Sequence, residues 1–282
     1  MHSALSLNKQ AQPAQWPEVK PNRGGRRSLS RLLEPLDQAA AGSIHLIADH
    51  GARFKRGDET YELSRYLFMG PRAGDEALRI GIFAGVHGDE PEGVHALIRF
   101  VLALESQADL AAGYRLFVYP VCNPTGYENG TRQARNGGDL NREFWRGSRE
   151  PEVRLLQSEL VAHALDGIIA LHTDDTSHGF YGFANGATLT QHLIEPALRA
   201  AEEFLPRNGH DRIDGFRARN GIIRHNFEGV LSAPPKVRPR PFEITLESPR
   251  AAPNYLKEAA FVAALQTILT RYREFIAYAP NL

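Results

Sequence analysis

The chain has 282 residues, 42% of them hydrophobic, which suits one large α/β domain or one and a half ordinary ones. Lysine plus arginine and aspartate plus glutamate both number 33, a balance that argues against nucleic acid or an anionic membrane surface as partner. No stretch approaches the roughly 20 apolar residues of a membrane span, and the single cysteine, Cys122, excludes an internal disulfide.

Residues 1–28 are polar, rich in Pro and Gln, and expected to be irregular. The first ten carry neither the basic segment nor the apolar core of an export signal, so a cytoplasmic location is the expectation. Lys20, Arg23, Arg26, Arg27 and Arg31 form a local basic run without interleaved aromatics, which reads as a solvated extension. Ser30–Ala41 suggests a short helix with Leu33 and Leu36 on one side, provided Pro35 sits in its first turn. Ser43–Leu67 alternates enough to suggest edge strands or a hairpin.

Strand-like runs then fall at Leu78–Val86, Tyr114–Val121, Gly167–Leu171 and Pro241–Leu246. Helical patterns fall at Pro91–Leu104, Pro151–Ala164, Leu189–Phe204 and Tyr255–Tyr272, with Asn254 as cap of the last. Buried strands alternating with helices predict an α/β fold with a mixed, mainly parallel central sheet and helices on both faces. Cys122 follows an apolar run and reads as a buried structural thiol. Arg207–Arg240 is rich in loop signals and is a candidate for substrate-covering elements.

Ligands of open α/β sheets gather beyond the carboxyl ends of the strands, where this pattern places His87, Asn123, His172 and Glu247. His87-Gly-Asp-Glu90 puts an imidazole and a carboxylate three residues apart between a strand and a helix, with Gly85 and Gly88 permitting a sharp turn. His172 ends a second apolar run and offers a third donor. Two histidines and a glutamate leave zinc an open position, the mark of a catalytic site, and two imidazoles favour zinc over magnesium or calcium. Glu247, ending an apolar strand, is the candidate general base, because partial burial raises its pKa toward the useful range. Glu243 shares its face and is the rival, farther from the strand tip.

The polar loop Gly130–Trp145 carries Arg132, Arg135, Asn141 and Arg142. Arginine beside asparagine suits a substrate carboxylate, and a second arginine could hold a developing oxyanion.

With Gly85-Val-His87-Gly-Asp-Glu90, Asn123-Pro-Thr-Gly126, Gly130-Thr-Arg132, Asp139-Leu-Asn141-Arg142, Ala170-Leu-His172 and Thr245-Leu-Glu247 in this order, the chain resembles the zinc metallocarboxypeptidase superfamily, including its succinylglutamate desuccinylase and aspartoacylase branch. The resemblance covers about residues 78–250. It implies one zinc per chain held by His87, Glu90 and His172, with Glu247 as general base and acid. Asn141 and Arg142 would grip the substrate carboxylate and Arg132 would polarise the scissile carbonyl, with Arg135 competing for that role. Asp139 would orient His87. A catalytic domain over residues 43–282 would follow an N-terminal extension over 1–42.

Two features depart from the family. No tyrosine lies between Gly182 and Glu247, so the substrate-covering tyrosine of digestive carboxypeptidases is missing or replaced. The run after His172 offers Asp174, Asp175 and His178 to a second metal, although solvated turn residues are the plainer account. The leading expectation is a carboxypeptidase-like zinc hydrolase that cuts an amide next to a free carboxylate in small peptides or peptidoglycan fragments. The alternatives are a deacylase of N-acyl amino acids and a metal-binding protein without turnover.

Overall fold

The computed structural model describes residues 25–49 and 51–278. The expectations for residues 1–24, Lys20 and Arg23 included, lie outside the described residues. Strand β1 (Leu46–Asp49), β4 (Arg65–Met69), β5 (Leu78–Ala84), β6 (Tyr114–Tyr119), β7 (Gly167–Asp174), β8 (Tyr181–Gly186), β9 (Arg212–Ile213), β10 (Phe216–Arg219), β11 (Ile222–Ile223) and β12 (Phe242–Pro249) form one sheet. Its order is β1-β4-β6-β5-β7-β12-β8-β11-β10-β9, and β2 (Arg53–Arg56) with β3 (Glu59–Glu62) make a separate hairpin. The centre, β6-β5-β7-β12, is parallel. Both flanks turn antiparallel, through β4 on one side and β8 on the other, so the sheet is mixed.

Alternation along the central strands assigns each face its own core. Ile80, Ile82, Ile169 and Leu171 point into a cluster with helix α1 (Leu29–Gly42), α2 (Pro91–Ser106), α5 (Thr190–Ala201) and α6 (Asn254–Tyr278). Phe83, Tyr119 and Ile168 point the other way, onto Val153, Leu156 and Leu160 of α4 (Pro151–Ala162). Helices therefore cover both faces, as the alternation of elements predicts. Among the described residues no helix is long and apolar enough to cross a membrane.

The N-terminal helix packs with the rest of the chain. Ser28 caps α1 by accepting from the Arg31 N–H at 3.4 Å, and Leu32, Leu33 and Leu36 are buried in the larger core. α1 thus fills the same interior as α2. Pro35 also lies in the second turn of α1, not the first. Cys122 is fully buried, and burial pushes its thiol far up, which fits a structural role.

Candidate metal centre

Parallel register assembles the site. Pairing of β7 with β12 sets Glu247 directly beside His172, and pairing of β5 with β7 sets Ala84 beside Leu171. The chain leaves β5 through Gly85, which adopts φ +60°, a conformation that glycine reaches without steric cost. Three residues past the strand, His87 swings to the same tip. A Cβ on Gly88 would fall 1.9 Å from the Gly126 carbonyl carbon, so Gly88 is there for close approach rather than for a positive φ. Gly126 belongs to the short helix α3 (Pro124–Asn129), whose N–H is capped by the Asn123 side chain at 2.8 Å. Asn123 also donates to the carbonyls of Val86 and Arg132, so it ties the loop together instead of facing substrate.

His87, Glu90 and His172 are 4%, 2% and 2% exposed, so bulk solvent reaches little of their surface. One ligand atom from each lies within 4.8 Å of the others, a set that can hold a metal ion. His87 Nδ1 is 2.7 Å from Glu90 Oε1, and His172 Nδ1 is 3.2 Å from His87 Nδ1 and 3.1 Å from Glu90 Oε2. Donors around a tetrahedral ion with bonds of about 2.0–2.1 Å stand roughly 3.3 Å apart. The observed spacing therefore fits a small divalent cation. Burial pulls the His172 pKa down, favouring the neutral imidazole that ligation requires. Burial works to raise Glu90, yet the charges and hydrogen bonds of the two histidines hold its carboxyl far below the usual range.

Asp139 accepts from His87 Nε2 at 3.2 Å, which leaves Nδ1 for the metal. It also caps the 3-10 turn Leu140–Arg142 by accepting from the Asn141 N–H at 2.9 Å. His172 Nε2 is buried with no corresponding partner among the described residues. Glu247 carries a pKa raised well above the ordinary value. Desolvation is the main cause, followed by the charges of Glu90, Asp174 and Asp214, with Arg132 opposing them.

His87, Glu90, His172 and Glu247 share a cavity of ≈ 230 Å³ with Arg132, Asn141, Arg142, Tyr181, Asp214 and Phe227 on its walls. Arg132 donates to Asp139 at 3.2 Å and to Glu90 at 3.4 Å. Arg142 lies 4.3 Å over the Phe227 ring, and Asn141 Oδ1 accepts from the Leu231 N–H at 2.9 Å. Arg135 is not brought here. Its guanidinium pairs with Glu59 and reaches the Arg56 carbonyl, outside the cavity, which leaves Arg132 as the arginine beside the donors. Glu243 is likewise distant from the tip and pairs with Arg240 at 3.6 Å.

Asp174 and Asp175 line the same cavity, but with His178 they form no metal-sized cluster among the described residues. Asp174 accepts from Tyr181 and Thr176, Asp175 pairs with Arg250, and His178 is exposed and outside the cavity. The segment Arg207–Arg240 does cover the site, through Asp214, Asn226, Phe227, Val230 and Leu231. Tyr181, one residue outside the interval that lacks tyrosine, walls the cavity with its hydroxyl on Asp174 at 2.8 Å. Sequence reasoning missed Tyr181, Asp214 and Phe227. For Asp214 a signal existed: Asp214-Gly215, both at positive φ between Ile213 and Phe216, is a two-residue hairpin turn.

Residues 76–208 match the family model of the succinylglutamate desuccinylase/aspartoacylase catalytic domain. That segment holds His87, Glu90 and His172 but ends before Glu247, which β12 brings in. No curated protein matches the chain by sequence. Among solved structures, the chain is similar to two proteins provisionally named metallopeptidases. One, from Shewanella amazonensis SB2B, has a TM-score of 0.73 at 22% identity over 86% of this chain and 93% of that one. The other, from Shewanella baltica OS155, has a TM-score of 0.71 at 23% identity over 86% and 90%. A metallo-carboxypeptidase from Pseudomonas aeruginosa, in complex with (2-guanidinoethylmercapto)succinic acid, has a TM-score of 0.62 at 18% identity over 89% and 70%. The chain shares the zinc carboxypeptidase-like fold, and the family-model match over residues 76–208 supports the resemblance read from the sequence.

Proposed function

We propose that this protein is a zinc-dependent hydrolase that cleaves an amide bond next to a free carboxylate, in the manner of a carboxypeptidase, on small peptides or peptidoglycan fragments. The observation that carries this reading is a single cavity holding a three-donor cluster, an adjacent carboxyl with a raised pKa, and two arginines. Zinc bound by His87, Glu90 and His172 would supply Lewis-acid polarisation and make a water acidic enough to react near neutral pH.

The chain's own residues supply the rest. Glu247 takes the proton of the attacking water and passes it to the leaving nitrogen, a task suited to a carboxyl whose pKa lies nearer the working pH. Arg132 offers positive charge where the carbonyl oxygen becomes an oxyanion. Because Asn141 Oδ1 is committed to Leu231, its amide nitrogen is the end left to donate to a carboxylate. Arg142, steadied on Phe227, presents its guanidinium as the second half of that grip.

The match to the desuccinylase/aspartoacylase catalytic domain supports a second reading, deacylation of an N-acyl amino acid by the same groups. The cytoplasmic setting and a small-molecule substrate without nucleic acid or membrane partner belong to the same proposal. Metal analysis combined with hydrolysis of peptides, murein tripeptides and N-acyl amino acids, before and after chelation and zinc restoration, tests it. Zinc-dependent release of a carboxyl-terminal residue is expected, and preferential acyl release would move the protein to the second reading. Bound zinc with no turnover of any substrate would make it a metal-binding protein.

A further inference from the structure

The turn that supplies two of the three donors does not hold itself. Between His87 and Glu90 it is closed by a Glu90 N–H to His87 carbonyl bond of 3.3 Å, longer than the normal range. Its next carbonyls are held from outside. Arg27 donates to the Gly88 carbonyl at 2.9 Å, and Arg250 donates through one nitrogen to the Asp89 carbonyl at 3.3 Å and through another to Asp89 Oδ2 at 3.1 Å.

The remaining nitrogen of Arg250, Nε, donates to Asp175, three residues beyond His172, and the Arg250 N–H donates to the Asp174 carbonyl at 2.9 Å. Arg250 itself lies three residues beyond Glu247. One guanidinium thus joins the turn bearing Glu90, the end of the strand bearing His172 and the end of the strand bearing Glu247. A chain of buried and part-buried bonds completes the circuit. Lys257 donates to the Arg250 carbonyl at 3.2 Å and to Glu92 at 2.7 Å. Thr173 donates through its hydroxyl to Glu92 at 3.4 Å and through its N–H to Glu90 at 3.0 Å.

We propose that Arg250 is a positioning residue of the metal centre, whose fork ties the Glu90 turn to the end of the His172 strand and sets the spacing of the donors. It does not line the cavity, so it acts through the residues it holds and not on substrate. Its partners Asp175 and Asp89 are 69% and 26% exposed, and ion pairs open to solvent contribute little to folding. What the fork supplies is geometry, because metal sites tolerate displacements of only about 0.5 Å. The signature is therefore a loss of metal affinity without a matching loss of stability. This inference rests on the metal-centre reading above.

The test compares the full-length wild type with Arg250→Ala, Arg250→Lys and, as a surface-charge control, Arg146→Ala. Zinc affinity is read by competition with a chromogenic chelator, alongside melting of the metal-free proteins and kcat and KM at saturating zinc. Arg250→Ala is expected to bind zinc roughly tenfold more weakly, the low end of the cost of losing a group bonded directly to a ligand, because it acts through Asp89 and Asp175, and to lower kcat more than it changes KM. Arg250→Lys should recover only part, since an ammonium cannot span both carboxylates. Arg146→Ala should match the wild type.

Zinc affinity in Arg250→Ala within twofold of the wild type would overturn the proposal while leaving the hydrolase reading intact. A wild type that takes up no zinc would overturn both. If Arg250→Ala fails to fold, Asp175→Asn cuts one arm of the fork at an exposed site. A weakened zinc affinity there supports the proposal, and an unchanged one overturns it.

Discussion

In the middle of the sheet, β5, β7 and β12 run parallel, are covered on both faces, and bring His87, His172 and Glu247 together near their carboxyl ends. At the far edge, β9, β10 and β11 are two to four residues long and carry Arg212, Arg217 and Arg219 in the open. The centre places the reacting groups, and the edge shapes what surrounds them through Asp214 and the neighbouring Phe227. The donors stand at strands buried on both faces, whereas part of the lining hangs from short edge strands with a small cluster of their own around Ile213, Ala218 and Ile223.

That division breaks if the centre tolerates substitution. His172→Ala should reduce zinc affinity by more than the roughly 10–100-fold that an outer partner costs, as read by chelator competition. Retained zinc would remove His172 from the ligand set. Glu247→Gln should keep zinc but lower kcat by about 10²–10⁴-fold. Full turnover in that variant would give the proton-transfer role to another group. In the native protein the raised Glu247 pKa predicts that kcat/KM falls as pH drops through that elevated value, since the base must be ionised, and Glu247→Gln should abolish this limb.

The wall should respond differently from the donors. Arg142→Ala should raise KM about ten- to a hundredfold, from the loss of a charge-assisted grip of roughly 1.5–3 kcal/mol, with a smaller change in kcat. An unaltered KM would take the carboxylate from Arg142.

The smallest effect concerns the opposite face. Glu159 bonds His163, Tyr119 and Arg65. Burial acts to raise its carboxyl, but these hydrogen bonds outweigh it and hold the pKa at about 2 instead of 4.5. A lowered folded pKa contributes stability above the unfolded value and loses it as pH falls toward 2. Glu159→Gln should therefore flatten the acid dependence of melting between about pH 4.5 and 2, while zinc affinity stays unchanged.

The same division explains what the sequence alone reveals. Buried parallel strands leave uninterrupted apolar runs, and a histidine or glutamate closing such a run stands out, so the donors and Glu247 were legible. β8 was not, because Gly182, Asn185 and Gly186 interrupt its pattern, and Tyr181 went with it. β9 to β11 are too short to show a period at all. Arg135 looked equivalent to Arg132 because spacing within a loop does not say which guanidinium turns inward. Its pairing with Glu59 spans 76 residues and decides the matter in space. Leu33 and Leu36 read only as one side of a short helix, because nothing local shows that α2 lies across from them.

The contact between Gly88 and Gly126 carries a consequence for evolution of this site. With Gly126 itself hemmed in by the Asn123 side chain at 2.5 Å from where a methyl would sit, neither position has room for even the smallest branch. One added carbon would wedge the turn bearing His87 away from the segment leading to Arg132, loosening cation and substrate recognition in a single step. New specificities are thus free to arise along the outer rim, while this seam stays bare.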